Sequence, residues 1–278
     1  MRELAYGKVN LCLFLGPVRD DGRHELVTLI ESVSLADELE VAVCSGGDDE
    51  VVCEGVEGDN LVAAALRALR SAGWGGPPLR VQITKRIPVA AGMGGGSADA
   101  AALLRVAARL APIPGDPLRI AAELGADVPS LLSPGPWLAT GAGERLEPRP
   151  PLAAHALVVV PSEHRLSTAE VYAEADRLGL PRTADELAAT LRELDSSLGV
   201  NDLEPAAVSL CPEIVGTLEA LRAAGADHAL VCGSGPTVAG VWWGEDSGDR
   251  VRSITASLGG VAVMPVSSPT SGTIEGQR

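Results

Sequence analysis

The chain has 278 residues, 46% of them hydrophobic and 21% charged, and it contains no apolar run approaching the ~18 residues of a membrane span. Its net charge of -15 argues against nucleic acid or an anionic membrane surface as the main partner, because both demand a basic face. At roughly 100 to 200 residues per domain, this length favours two domains.

The N-terminal MRELAYGKVN lacks the basic start, apolar stretch and cleavage site of a secretory signal, so the expected location is the cytoplasm. Short strand-like runs follow, KVNLCLFLGPV, LVTLIESVSL and ELEVAVC, with DDGRH as the first turn and SGGDDE closing the set. This is the pattern of an antiparallel or mixed sheet. DNLVAAALRALRSAG predicts a helix with Asp59 or Asn60 as N-cap and Gly73 as its stop. LRVQITKRIP alternates as a strand that ends before Pro88. SADAAALLRVAARLAP predicts a second helix, with Ser97 as candidate cap and Asp99 in the first turn. A further helix, DPLRIAAELG, leads to Ala126 and Asp127.

Residues 133–151 are rich in proline and glycine, and a domain boundary is placed near their end. Beyond them HALVVVP predicts a strand, helices follow over roughly 167–194, and PEIVGTLEALRAAG is another helix. DHALVCG and TVAGVWW are strands, GDRVRSITASLG is a helix and GVAVMPV a last strand. The order is β-α-β-β-α-β, the split βαβ arrangement of ferredoxin-like domains, with extra helical material in the first crossover. The small, polar tail SSPTSGTIEGQR predicts disorder.

Cys12, Cys44, Cys53, Cys211 and Cys232 are scattered, with no CxxC pair, which points to reduced thiols rather than a zinc or redox centre. All but two of the 22 basic residues are arginine. The exceptions are Lys8 and Lys85. A compact ammonium can approach a reacting phosphoryl oxygen as a planar guanidinium cannot, although at Lys85 chance explains the choice as well as function does.

Between strand and helix lies IPVAAGMGGGSADAAALL. A glycine-rich loop at a helix N-terminus holds anions, since exposed backbone N–H groups and the helix dipole both point at the ligand. A P-loop would need a lysine after the glycines, and none follows. A dinucleotide fingerprint would need G-x-G-x-x-G and a βαβ continuation, and both are missing. A plain mobile turn remains as a minor alternative.

PVAAGMGGGSADAAALL resembles the second motif of the GHMP small-molecule kinases, whose glycine- and serine-rich loop wraps the phosphates of ATP. KVNL and CGSGPTVAG agree with that family in order and spacing, as do RDDGRHELVTLIESVSLADELEV, GDNLVAAALRAL and LGADVPSLL. The resemblance spans most of the chain and implies an α+β class and a two-domain GHMP kinase fold. An N-terminal mixed β-sheet with helices, ribosomal S5 domain 2-like, would cover residues 1–151 and bind ATP. A C-terminal ferredoxin-like split βαβ domain would cover 152–268, leaving 269–278 as the tail.

The implied reaction is ATP-dependent phosphorylation of the 2-hydroxyl of 4-diphosphocytidyl-2-C-methyl-D-erythritol in the non-mevalonate route to isoprenoid precursors. That compound would be the partner, as a small molecule, and the protein a monomer or homodimer. ATP brings Mg²⁺, held largely by the phosphates; no protein ligand is assigned, Ser97 being nearest. Phosphorylation of another small alcohol, homoserine or mevalonate, and a catalytically silent nucleotide-binding relative are the alternatives.

By the same resemblance Asp127 is the base facing the substrate hydroxyl and Lys8 its cationic partner. By pattern alone Asp127 suits a helix N-cap and Lys8 an exposed strand position. Pro88, Val89, Ala90, Ala91, Gly92, Met93, Gly94, Gly95, Gly96, Ser97 and Ala98 form the expected ATP loop. Asn10 shares a strand face with Lys8 and is assigned to the substrate. His24 matches a family histidine that reads the cytosine edge, and Tyr172 an aromatic that stacks on the base. Gly233, Ser234 and Gly235 form a second backbone-rich turn, equally readable as a tight hairpin. The family usually has tyrosine where this chain has Arg23, whose guanidinium can stack on a base and adds positive charge near a diphosphate.

Overall fold

The computed structural model describes residues 1–55, 60–89, 91–194 and 197–267. The candidate cap Asp59, Ala90 of the loop and the tail 269–278 lie outside the described residues.

Two long strands, β1 (Arg2–Val18) and β2 (His24–Val43), form an antiparallel ribbon around a turn in which Gly22 takes φ +78°. LVTLIESVSL and ELEVAVC, read separately in the sequence, are one strand. β1 pairs with β2 from Arg2–Glu40 to Val18–His24, and this continuous partner carries the strand through the polar interruption between the runs. The opposite edge of β2 is shared. Its residues 38–43 pair with β4 (Leu79–Thr84) and its residues 26–31 with β5 (Pro136–Gly141).

Two short strands complete the six-stranded sheet. β3 (Glu50–Cys53) runs parallel to β4, and β6 (Arg145–Pro148) antiparallel to β5. The proline- and glycine-rich stretch is therefore not a bare linker. Pro136 and Pro148 sit at strand ends, and Gly141 and Gly143 lie where β5 turns into β6.

Against this sheet lies α2 (Gly95–Leu110), flanked by α1 (Leu61–Ser71), α3 (Pro117–Leu124) and α4 (Val128–Leu131). A helix apolar on most of its surface must be buried on most of its surface. Ala98, Ala100, Ala101, Ala102, Leu103 and Leu104 are all buried in one core, and the alanines let neighbouring elements approach closely. Asn60 caps α1, accepting the Val62 N–H at 2.8 Å.

The second sheet has the order β10-β7-β9-β8, antiparallel throughout. Its strands are β7 (His155–Val160), β8 (His228–Val231), β9 (Val238–Trp243) and β10 (Val261–Val263). This is the split βαβ arrangement expected from the element order. Its crossover carries α5 (Thr168–Leu178), α6 (Ala184–Arg192), α7 (Glu204–Leu210) and α8 (Ile214–Ala223), and α9 (Ser247–Ile254) precedes β10.

β1 is the seam between the sheets. Gly199 N–H donates to Leu11 O at 2.8 Å and Asp202 N–H to Leu13 O at 2.9 Å, while Leu13 N–H donates to Val200 O at 2.8 Å. Val9, Leu11 and Phe14 of β1 share a core with Leu157, Leu230 and Val241 of the second sheet. Arg182 adds a bidentate pair to Asp202, at 2.6 and 2.8 Å, while lying over the Phe14 ring. The middle of β1, with Lys8 and Asn10, is thus held from both sides.

Candidate active site

Register shifts between Tyr6 and Lys8 and between Asn10 and Cys12 bracket the segment Lys8–Asn10. Such bulges re-aim side chains within a strand, and inside the bracket the period-2 rule places Lys8 and Asn10 on one face. Lys8 Nζ donates to Asn10 Oδ1 at 2.9 Å, Asn10 Nδ2 to Thr28 Oγ1 at 2.8 Å, and Thr28 Oγ1 to Cys12 O at 2.6 Å. Lys8 is only 5% exposed, so it is not the exposed strand residue that pattern alone allowed. One of its three N–H groups is spent on Asn10, leaving two for an anion.

Asp127 stands at the N-cap position of α4 but makes no cap hydrogen bond. Its side chain is 37% exposed, with Oδ2 3.6 Å from Lys8 Nζ. At that distance the two attract as charges without sharing a proton.

The glycine loop closes over this pair. Gly92 and Gly94 take φ +71° and +67°, in the left-handed region that favours glycine. A Cβ at Gly92 would lie 2.7 Å from Cys232 O, and one at Gly94 3.2 Å from Lys8 Cγ and 3.5 Å from Asp127 Oδ2. Lys8 N–H donates to Met93 O at 2.9 Å, tying the loop to β1.

Helix α2 begins at Gly95, with Gly94 rather than Ser97 at the cap position. Ser97 instead lies in the first turn, because left-handed Gly94 already redirects the chain into the helix. The N–H groups of Gly95, Gly96 and Ser97 have no intrahelical acceptor, so this helix start can receive an anion. Asp99, expected in the first turn, lies beyond it and faces inward. It accepts from Lys85 Nζ at 2.8 Å, and Lys85 also donates to Asp37. Burial pushes the Asp99 carboxyl up to about 7 against the lowering influence of Lys85.

Two cavities meet at this loop. One, of about 320 Å³, is lined by Pro88, Val89 and residues 91–97, with Cys53, Asn60, Lys85 and Asp99 at its other walls. The second, of about 300 Å³, is lined by Lys8, Asn10, Thr28, Asp127, Tyr172, Gly233 and Ser234 among others. Gly92, Gly94 and Ser97 belong to both. Ala98 of the expected loop lies buried in the core instead.

The turn after β8 approaches from the other side. Gly233 takes φ +59°, and a Cβ there would lie 3.4 Å from Asn10 Oδ1 and 3.6 Å from Lys8 Nζ. Asn201 Nδ2 donates to Val231 O at 2.8 Å and Gly233 O at 2.7 Å, and Ser234 Oγ lies 3.0 Å from Thr168 Oγ1. Gly235 does not line the cavity: a Cβ there would lie 2.8 Å from the Val231 side chain, while its carbonyl oxygen comes close to Gly92.

His24 is buried, with Nε2 2.8 Å from Asp176 Oδ1 and its ring 5.4 Å from that of Tyr172. Burial, aided by the charge of Asp127, raises the Tyr172 phenol above its ordinary pKa. Arg23 does not join this group. Its guanidinium bonds Asp21 at 2.8 and 3.1 Å with the side chain 60% exposed, because that acid lies two residues away in the same turn. Sequence reasoning missed Thr28, Thr168, Asn201 and Asp176. Thr28 was discoverable, since even spacing puts it on the face of Leu26 and Ile30; the other three depend on contacts remote in sequence.

The family pattern "GHMP kinases N terminal domain" matches residues 60–135, and "GHMP kinases C terminal" matches residues 183–258. The chain belongs to the GHMP kinase family. It is 40% identical to the 4-diphosphocytidyl-2-C-methyl-D-erythritol kinase of Corynebacterium efficiens, over 96% of this chain and 93% of the relative. The enzyme of the same name from Thermobifida fusca is 41% identical, over 90% of this chain and 89% of the relative. A crystal structure of 4-(cytidine 5'-diphospho)-2C-methyl-D-erythritol kinase superposes with a TM-score of 0.78 at 35% identity, covering 96% of this chain and 100% of the other. A homoserine kinase from Cytophaga hutchinsonii, at 18% identity and TM-score 0.65, shares the fold. No helix among the described residues is long and apolar enough to cross a membrane.

Proposed function

We propose that this chain is an ATP-dependent kinase that phosphorylates the 2-hydroxyl of 4-diphosphocytidyl-2-C-methyl-D-erythritol, a step toward isoprenoid precursors taken in the cytoplasm. The observation that carries the reading is the pair Lys8 and Asp127, 3.6 Å apart where two cavities meet over one glycine loop. One cavity takes the nucleoside triphosphate, with its phosphates on the amides of the loop and of the start of α2. The other takes the alcohol. Residues 1–151 supply the nucleotide grip, and the part from 152 onward supplies the Gly233 turn and the wall carrying Tyr172.

Phosphoryl transfer needs alignment and charge stabilisation more than covalent help. Asp127 accepts the hydroxyl proton as the alcohol oxygen forms its bond to the terminal phosphorus. The bond from that phosphorus to the bridging oxygen breaks, and ADP departs with the bonding pair. Lys8, fixed by Asn10, has two N–H groups free for the moving phosphoryl oxygens. The Ser97 hydroxyl, which lines both cavities, is an oxygen donor of the kind that suits a hard cation. Mg²⁺ held there with the phosphates would neutralise developing charge.

The test is ADP release with the diphosphocytidyl alcohol, homoserine and mevalonate offered in parallel. Turnover with the first alone is expected. Turnover with homoserine or mevalonate and none with the diphosphocytidyl compound would overturn the proposal.

A further inference from the structure

Asp176 is the one member of the Tyr172–His24 group that the proposed reaction leaves without a task. It lies in the last turn of α5, one helical turn beyond Tyr172 and on the same face. A carboxylate is disfavoured there, since the C-terminal end of a helix already carries partial negative charge. Its side chain is 47% exposed, and its partner is the imidazole of His24, whose side chain is 6% exposed. The acid therefore serves the histidine and not the helix.

A carboxylate only accepts hydrogen bonds. The His24 nitrogen facing it, Nε2 at 2.8 Å from Oδ1, must then carry the proton. In a neutral imidazole with a protonated Nε2, the other nitrogen is a bare acceptor. His24 Nδ1 makes no hydrogen bond among the described residues. His24 packs against Tyr172, which lines the cavity holding Asp127. An acceptor beside Tyr172, at the margin of that cavity, favours a ligand with an N–H donor and disfavours one with a carbonyl oxygen in the same place.

We propose that Asp176 is a positioning residue for base selection: by holding the Nε2 proton of His24 it keeps Nδ1 an acceptor, so that the wall takes an amino-bearing pyrimidine, cytosine, in preference to uracil. This rests on the reading of the second cavity as the site of a diphosphocytidyl alcohol. The acid never touches the substrate; it sets what the histidine offers.

Two measurements test it. The first is the ¹⁵N spectrum of His24 in the unliganded wild-type protein at about pH 8, above the ordinary histidine range. A protonated Nε2 and a bare Nδ1 are expected in the wild type, and a mixture of tautomers in Asp176→Ala. A wild-type ring protonated on Nδ1 would overturn the proposal without recourse to any variant.

The second is KM and kcat for the diphosphocytidyl alcohol and its diphosphouridyl counterpart. Asp176→Ala should raise KM for the cytidine compound roughly 10- to 100-fold, the scale of one lost base contact. It should leave kcat and the KM for ATP within about threefold and shrink the cytidine-over-uridine preference, with Asp176→Glu restoring part of it. A folded Asp176→Ala protein with the wild-type preference would refute the assignment. Failure of the wild type to turn over either alcohol would remove the substrate reading instead, and the spectrum of the free protein would still decide the role of Asp176.

Discussion

Replacing Gly94 by alanine tests the proposed centre at its tightest point. The residue has φ +67°, where a side chain costs about 1–2 kcal/mol of backbone energy, equivalent to a melting temperature lower by roughly 2–8 °C in a chain of this size. The added methyl would also lie 3.2 Å from Lys8 Cγ and 3.4 Å from Cε, and 3.5 Å from Asp127 Oδ2. Lys8 cannot give way freely, because Nζ is held by Asn10 at 2.9 Å and its backbone N–H by Met93 at 2.9 Å. A misplacement of ~1 Å can reduce turnover about 100-fold, so a shift of a few tenths of an ångström predicts a fall of roughly 2- to 6-fold. KM for ATP should stay within about threefold. Gly115→Ala is the control, since Gly115 has φ +77° and a Cβ there would meet nothing within 4 Å. Both variants should lose similar stability, and only Gly94→Ala should lose turnover in steady-state ADP release. Equal kcat in the two would refute the inference that this glycine exists to make room for the amine and the acid.

Asp127→Asn should lower kcat by about 10²- to 10⁴-fold, the usual contribution of a general base, with ATP affinity by calorimetry nearly unchanged; near-normal turnover would remove Asp127 as the base. Arg23→Ala is expected to alter KM for the alcohol less than about threefold, because the guanidinium is engaged by Asp21; a tenfold rise would mean that it leaves that acid when substrate binds. His155, between the sheets, has Nε2 2.7 Å from Glu31 Oε2 and Nδ1 2.8 Å from Ala153 O. Burial opposes charging the ring, but the hydrogen bond and charge of Glu31, with the Ala153 carbonyl, outweigh it and raise the pKa above the ordinary 6.5. A raised folded pKa means stabilisation present in full below the unfolded value and lost as pH climbs through the folded one. Denaturation midpoints should therefore decline from about pH 6.5 upward in the wild type, and less steeply in His155→Gln; parallel profiles would refute the ion pair's contribution.

How much of this was legible depended on how local the determining contacts were. The ferredoxin-like order followed from strand and helix periods alone, since each element carries its own pattern. The loop also declared itself, because glycines against a strong helix start have few other uses. What escaped was set by partners distant in the chain. Nothing within LVTLIESVSLADELEV says that it is one strand; the 17 residues of β1 alongside do. Ser97 looked like a cap because serine usually is one, and the left-handed Gly94 took that place. Asp176 resembles any solvent-facing acid until the fold brings His24, 152 positions earlier, within 2.8 Å.

The scarcity of lysine acquires a physical reason at both sites. At position 8 the ammonium has Asn10 Oδ1 as its hydrogen-bonded neighbour, with the backbones of Gly94 and Gly233 so near that a Cβ on either would lie 3.2–3.6 Å from the lysine side chain. An arginine there would need room for a planar fork and acceptors for five N–H groups, where one amide oxygen and one carboxylate are in reach. At position 85 the ammonium fits between the carboxylates of Asp37 and Asp99, both almost wholly buried. Asp37 is already committed through Oδ1 to the N–H groups of Arg86 and Ile87, at 2.5 and 2.8 Å. A compact charge reaches Asp37 Oδ2 and Asp99 Oδ2 together, leaving only Asp99 Oδ1 of these oxygens without a partner, and does not displace the backbone that leads into the glycine loop. Lys85 thus lines the first cavity and Lys8 faces Asp127, and under the proposed function these are the nucleotide site and the reacting groups, a reason for an otherwise arginine-using sequence to keep lysine at these two positions.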